Sequence, residues 1–316
     1  MQTPFVVNPQ LSALALAFKN PEASYIADAV LPRVPKAQKF TYKVYGQDQF
    51  YTVPNTLLGR KSEPREVEFS SSAMTAQTEG YGLVDYVPED DMRVFSAMPK
   101  ATGVMDPKQV ATMGLTNLMM LAREQRVASL VFNPATYVLA QQQTLIGAAQ
   151  WSDFVNSDPA LAILNACDQM LVKPNKLVLG QLAFTRLRRH PKLVAQAFPI
   201  SQTGNGSLTA AQLAETLELS EVLVGKAQQN TAGLGLPTAL SRVWGKNAAL
   251  IYSSKQTSEA DMPSFGFTAE FQDREVQEFF DPKRGVNGVH GIKVVEQVRE
   301  LVIANNCGYY FQNCVA

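Results

Sequence analysis

The feature that most limits what this chain can fold into is the run from Lys108 to Phe132, which contains no proline and only Gly114 as a glycine. Asp106 stands ahead of it in position to cap, Pro107 suits the first helical position, and Asn133-Pro134 stops it. The pattern predicts one helix from Pro107 to Phe132, about 39 Å long at roughly 1.5 Å per residue. That is long for a globular domain and suits a structural spine. Met113, Leu118, Leu121 and Ala122 are expected on its buried side, and the run Leu118-Met119-Met120-Leu121 reads as core filling rather than a cofactor pocket.

With 316 residues, 46% of them apolar, the chain can bury a core around such a helix. Its 28 basic and 28 acidic side chains cancel, so no overall field draws it to nucleic acid or an anionic membrane, and any such contact has to be local. Cys167, Cys307 and Cys314 are odd in number and spaced for neither a disulfide framework nor a metal knuckle, which points to a reducing compartment. Met1-Gln2-Thr3-Pro4 lacks the basic and apolar stretches of an export signal, and nowhere do eighteen apolar residues run together. The expectation is a soluble protein made in the cytoplasm, with no membrane partner.

Ahead of the spine the chain looks extended. From Met1 to Pro35, short apolar pieces (Leu11 to Phe18, Tyr25 to Leu31) alternate with polar breaks and end in Leu31-Pro32-Arg33-Val34-Pro35, an arm expected to find its partners on another surface. Lys39 to Tyr45 alternates as a strand with Phe40, Tyr42 and Val44 on one face. A turn at Gly46 to Gln49 leads to Phe50-Tyr51-Thr52-Val53, and so to a long antiparallel excursion. Arg60-Lys61-Ser62-Glu63-Pro64-Arg65-Glu66-Val67-Glu68-Phe69 then mixes both charges with few apolar residues. It reads either as a solvated loop or as an intersubunit strap.

Beyond the spine the pattern is mixed. Ser157-Asp158-Pro159 starts a helix over Ala160 to Met170; Lys176 to Gly180 is a buried strand, followed by a helix from Gln181 to His190. Leu208 to Ala214 forms a further helix, and Glu221 to Gly225 and Val243 to Tyr252 further strands. From Gly291 to Ala316 the chain reads as extended sheet through Val294, Val298, Leu301 and Gly308-Tyr309-Tyr310-Phe311.

A search for chemistry finds little. The two histidines, His190 and His290, are a hundred positions apart and outside any metal-ligand spacing. His190, closing Arg186-Leu187-Arg188-Arg189-His190 before Pro191, is expected to complement the negative end of a helix. No Gly-x-Ser-x-Gly elbow presents a serine, and Cys167 reads as a core residue. Glu89-Asp90-Asp91 supplies too few oxygens for a cation and reads as a surface turn or helix start. Gly204-Asn205-Gly206 and Gly233-Leu234-Gly235 match no phosphate loop. No catalytic, cofactor-binding or metal-binding residue is predicted, and no cofactor.

Several stretches, in order along nearly the whole chain, resemble the major capsid family of tailed bacteriophages. They are Tyr25-Ile26-Ala27-Asp28-Ala29-Val30-Leu31-Pro32-Arg33-Val34-Pro35, Gly59 to Phe69, Lys173-Pro174-Asn175-Lys176-Leu177-Val178-Leu179-Gly180, Arg188-Arg189-His190-Pro191-Lys192, and Val243-Trp244-Gly245-Lys246-Asn247-Ala248-Ala249-Leu250. The resemblance implies an α+β Hong Kong 97-like (Johnson) fold. Its divisions would be an N-terminal arm (1–35), an extended loop (36–88), a peripheral domain with the spine helix (89–149), an axial domain (150–287) and C-terminal strands returning to both domains (288–316). It implies a head protein that assembles with itself through pentamers and hexamers into an icosahedral shell in the host bacterial cytoplasm and ends in the virion. Partners would be a portal, a separate scaffolding protein if any, a decoration protein, and packaged double-stranded DNA held non-specifically on the inner face. Intersubunit contacts are expected at Arg60, Lys61, Glu63, Arg65, Glu66 and Glu68, whose alternating charges set register with a neighbour. Competing readings are a cellular nanocompartment shell of the encapsulin kind and, from a different class, a hydrolase built on His190 or His290.

Overall fold

A computed structural model describes residues 21, 24–45, 53–64, 66–67, 71–97, 105–198, 206–233, 235–254 and 264–316. The expected apolar piece Leu11 to Phe18, the turn at Gly46 to Gln49, the strand residues Phe50 to Thr52, and Gly204-Asn205 lie outside these residues.

The chain enters through a short helix, α1 (Ala27–Val30), and an extended triplet, β1 (Arg33–Pro35). It then runs out and back as a two-stranded ribbon, β2 (Lys39–Tyr45) against β3 (Ser71–Gln77). Next come β4 (Glu79–Pro88), α2 (Glu89–Ala97), the long helix α3 (Pro107–Val131) and β5 (Gln142–Thr144). A mixed region follows: α4 (Pro159–Gln169), β6 (Lys176–Gly180), α5 (Gln181–Leu187), α6 (Pro191–Ala197), α7 (Ala210–Thr216), β7 (Glu221–Gly225), the small hairpin β8 (Gln228–Asn230) and β9 (Leu240–Arg242), and β10 (Ala248–Ile251). A long hairpin, β11 (Gly266–Asp281) and β12 (Val289–Val302), and a last strand, β13 (Gly308–Gln312), complete the described chain.

Two sheets organise these elements. One has the order β1-β11-β12-β4 and the other β5-β13-β10-β6-β7. In the five-stranded sheet, Leu177, Leu179, Val222, Val224, Ala248, Leu250, Tyr309 and Phe311 face a layer of helices α4 to α7. Their alternates Val178, Leu223, Ala249, Ile251 and Tyr310 face α1 and the C-terminal half of α3. Period two is what a sheet buried on both faces requires. Gly180 and Gly225 end two of its strands where the turn at Trp244-Gly245 crosses. A Cβ on Gly180 would lie 2.1 Å from the Gly245 carbonyl oxygen, and one on Gly225 would meet the Trp244 ring.

Helix α3 begins as predicted, with Asp106 accepting from Lys108 N at 2.9 Å and Pro107 in the first turn. Its buried side differs from expectation. Ala111, Leu115, Met119, Arg123, Val127 and Val131 are buried with Glu124 and Ala128, whereas Leu118 and Ala122 are exposed and Met113 and Leu121 half-buried. Each step of four residues overshoots a turn by about 40° at 3.6 residues per turn, so this stripe winds around the helix. Ala111, Leu115 and Met119 therefore meet Val87, Ile292 and Val294 of the four-stranded sheet, while Val127, Ala128 and Val131 meet the five-stranded one.

Other expectations need correction. The helix expected to reach His190 stops at Leu187 and a second begins at Pro191. The strand expected from Val243 starts at Ala248, because Gly245 turns the chain at a φ of 52°. The segment from Tyr25 to Pro35 does not await another surface: Ile26, Ala27, Val30 and Leu31 are buried in this chain's own core, and β1 pairs in parallel with β11. The longest strand, β11, was not anticipated. Its run Gln272-Asp273-Arg274-Glu275 has the composition of a loop, yet β12 holds it in register with irregularities at Glu270 to Glu275. β5 belongs to the five-stranded sheet and β11 to the four-stranded one.

Candidate functional site

Both histidines are tied into structure. His190 is fully buried at the start of α6, with Nε2 3.0 Å from Ser157 Oγ and its ring edge-on to Phe154. The Ser157 hydroxyl is also within 2.6 Å of the Asp153 carbonyl oxygen, which it donates to. The pair is enclosed and fastens the 153–158 loop to the helix start; it does not present a nucleophile. Burial pushes the His190 pKa down, so the ring is not the dipole-complementing cation expected from its sequence position. No spacing could have signalled a contact across 33 residues.

His290 Nε2 lies 2.7 Å from Glu89 Oε2, and Nδ1 lies 3.4 Å from Glu278 Oε1, which also pairs with Lys108. The hydrogen bond with His290 is the main cause holding the Glu89 carboxyl below the usual range. Glu89, Asp90 and Asp91 open α2, and Asp90 accepts from Asn287 Nδ2 at 2.6 Å. Among the described residues no group of three or more His, Cys, Asp or Glu could hold a metal ion, and no helix is long and apolar enough to cross a membrane. Cys167 is half-buried against the helical layer, and burial raises its thiol pKa, as it does for Cys307, pushed up to about 11. Thiols in such surroundings are not activated.

The most concentrated electrostatics occur where α3 passes from one sheet to the other. Glu124, buried, accepts from Ile26 N and Ala27 N at 2.9 Å each and from Trp244 Nε1 at 2.6 Å. It thereby ties α1 and the Trp244 turn to the spine. Burial raises its pKa, and these three donors oppose the rise. Two residues on, Arg126 reaches Glu300 at 3.0 Å and lies 3.7 Å over the Tyr81 ring. Glu296, fully buried on β12, stands among Arg33, Arg126 and Arg274 at 3.6, 3.5 and 3.3 Å. Arg123, 2% exposed, lies 2.7 Å from Asp28 and donates to Thr268 Oγ1 at 3.1 Å, while Arg33 also bonds Asp28 and Glu270. Burial is the largest influence on Arg123 and lowers its pKa. Buried charges persist where each finds a partner.

The expected contact residues have the opposite environment. Arg60, Lys61, Glu63 and Glu66 are exposed, and among the described residues none makes an ion pair; Arg65 and Glu68 lie outside them. In the same stretch Val53 and Leu57 are each 87% exposed, and Leu58 and Val67 each 51%.

This architecture has known relatives. No family model matches the chain. It is 41% identical over 314 residues, 99% of its length and 98% of the relative's, to the major capsid protein of Pseudomonas phage JBD67. In structure it resembles the crystal structure of a phage-related protein from Bordetella bronchiseptica RB50, with a TM-score of 0.69 and 23% identity over 99% of this chain and 98% of the other. It also resembles the capsid structure of cyanophage P-SCSP1u, with a TM-score of 0.57 and 9% identity over 89% of this chain and 84% of the other. The exposed strap, the spine shared by two sheets and identity along nearly the full length agree: the chain belongs to the phage major capsid proteins and has their Hong Kong 97-type fold.

Proposed function

We propose that this chain builds a closed icosahedral shell from pentamers and hexamers of itself around packaged double-stranded DNA, in a bacterial cytoplasm, with a portal at one vertex and scaffolding and decoration proteins as further partners. The four-stranded sheet with the N-terminal half of α3 is the peripheral domain in this reading. The five-stranded sheet with its helical layer is the axial domain.

The observation that carries the reading is the strap. A stretch exposing Val53, Leu57, Leu58 and Val67, with Arg60, Lys61, Glu63 and Glu66 making no ion pair among the described residues, is what a surface used by a second subunit presents. Overlap between subunits would cover it, and many small contacts per subunit add up around a closed surface. Zero net charge removes the long-range repulsion that would oppose such packing. Identity of 41% to a phage protein favours a genome container over a cellular nanocompartment.

Negative-stain electron microscopy and sedimentation of the chain, alone and with its neighbouring genes, test the proposal. Hollow shells or rings of five and six subunits are expected; a small monomer under every condition would overturn it.

A further inference from the structure

The four-stranded sheet ends at β4, and the side of that strand away from β12 has no partner strand among the described residues. Two hydrogen bonds show which residues face that open side. Glu89 N donates to Gly288 O at 3.1 Å, one rung beyond the pairing of Pro88 with Val289. Odd-numbered residues of β4 therefore turn their backbone groups towards β12, and even-numbered ones turn them outward. Tyr86 N agrees, donating to its neighbour's carboxylate, Asp85 Oδ1, at 2.8 Å. Pro88, also even, has no N–H. One end of the edge is thus closed by an internal acceptor and a proline, both devices against strand addition. It stays open at Gly80, Gly82 and Val84. Two of these carry no side chain, and Val84 and its neighbour Leu83 are 42% and 39% exposed.

The strap has the matching deficit. Residues 53–64 belong to no helix or strand. Leu57 N is taken by Asn55 Oδ1 and Ser62 N by Gly59 O, each at 3.0 Å, while Thr56 and Leu58 have no backbone partner among the described residues.

We infer that the Thr56–Leu58 stretch of one copy adds as an antiparallel strand to the open edge of β4 in a neighbouring copy. The inference rests on reading the strap as an intersubunit contact and names where it lands. Antiparallel alignment sets Thr56 beside Val84 and Leu58 beside Gly82, and it brings Leu57 opposite Leu83. Cross-strand neighbours of this kind lie about 5 Å apart at Cβ. The turn carrying Arg60 and Lys61 then arrives at Glu79, which is 51% exposed on its side chain and already pairs with Arg299 of its own chain. A parallel strand would carry that turn to the closed end, where Tyr86 and Pro88 offer no donor. Backbone hydrogen bonds supply the attachment and the leucine contact sets the register.

The test uses the full chain with Leu57→Cys and Leu83→Cys, assembled, oxidised and run on a non-reducing gel. Covalent multimers are expected in assembled particles, and none in unassembled chain, in either single variant or in the parent with its three cysteines. Particles from the double variant without inter-chain disulfides would overturn the inference. Val84→Pro removes an outward N–H and leaves the odd-numbered ladder in place, so it is expected to melt like the parent and lose shell formation, whereas Val84→Thr assembles. Normal shells from Val84→Pro, when Arg60→Glu with Lys61→Glu blocks assembly, would sink the landing site and keep the strap. Normal shells from the charge reversal would sink the strap reading itself.

Discussion

The crossing point of α3 and the strap are built from the same kinds of residue and have opposite fates. Arg33, Arg123, Arg126 and Arg274 meet Asp28, Glu270, Glu296 and Glu300 in a region where Glu296 is fully buried. Arg60, Lys61, Glu63 and Glu66 lie in water with no ion pair among the described residues. The difference is not charge density but what surrounds it: the first cluster forms where two sheets and a helix converge, the second where no other described element of the chain arrives. Charge in the first is enclosed by the fold, and in the second it stays in solvent.

The largest expected effect is therefore at the crossing. Glu296→Ala should destabilise the unassembled protein by about 3–5 kcal/mol, because it leaves three arginines facing a buried site without their shared carboxylate. Urea denaturation checks this, and a loss below about 1 kcal/mol, the level of an exposed pair, would erase the distinction drawn above. Arg60→Glu with Lys61→Glu should change the same measurement by less than about 0.5 kcal/mol while abolishing shells in sedimentation; an equal loss of monomer stability would show that the strap is part of the fold. The smallest effect is a change in pH dependence. Because the bond from His290 holds Glu89 low, its stabilisation is complete above about pH 4.5 and is lost as pH falls through the lower folded value. In His290→Ala the melting temperature should fall less steeply on acidification from that pH, and an unchanged slope would remove the bond from the account.

How much was legible follows the same division. Asp106-Pro107 fixed the start of α3, and the β-branched and leucine runs at Lys176–Gly180 and Glu221–Gly225 marked two strands at their observed bounds. These signals are local, so sequence carries them. The exposure of the strap was legible because a mixed-charge run with few apolar residues has little to bury. The crossing was not, since its partners lie far apart in the chain: Glu124 and Trp244 are separated by 120 positions and Arg33 and Glu270 by 237. An arginine and a glutamate in mid-helix read as surface until another element arrives to meet them. The strand β11 was missed for the related reason that its polar run is held by pairing with β12 rather than by burial.

The winding stripe on α3 has a mechanical consequence. A straight stripe would let a helix slide or roll against one sheet independently of the other. Here Ala111 to Met119 grip one sheet and Val127 to Val131 the other at different angles around the same axis. Rolling the helix to follow one sheet drags the second with it. The two sheets are geared together, so a change in tilt at one end of the subunit has to be transmitted along the shaft or absorbed by bending it near Arg123 to Arg126, where ion pairs rather than interlocked apolar side chains hold it.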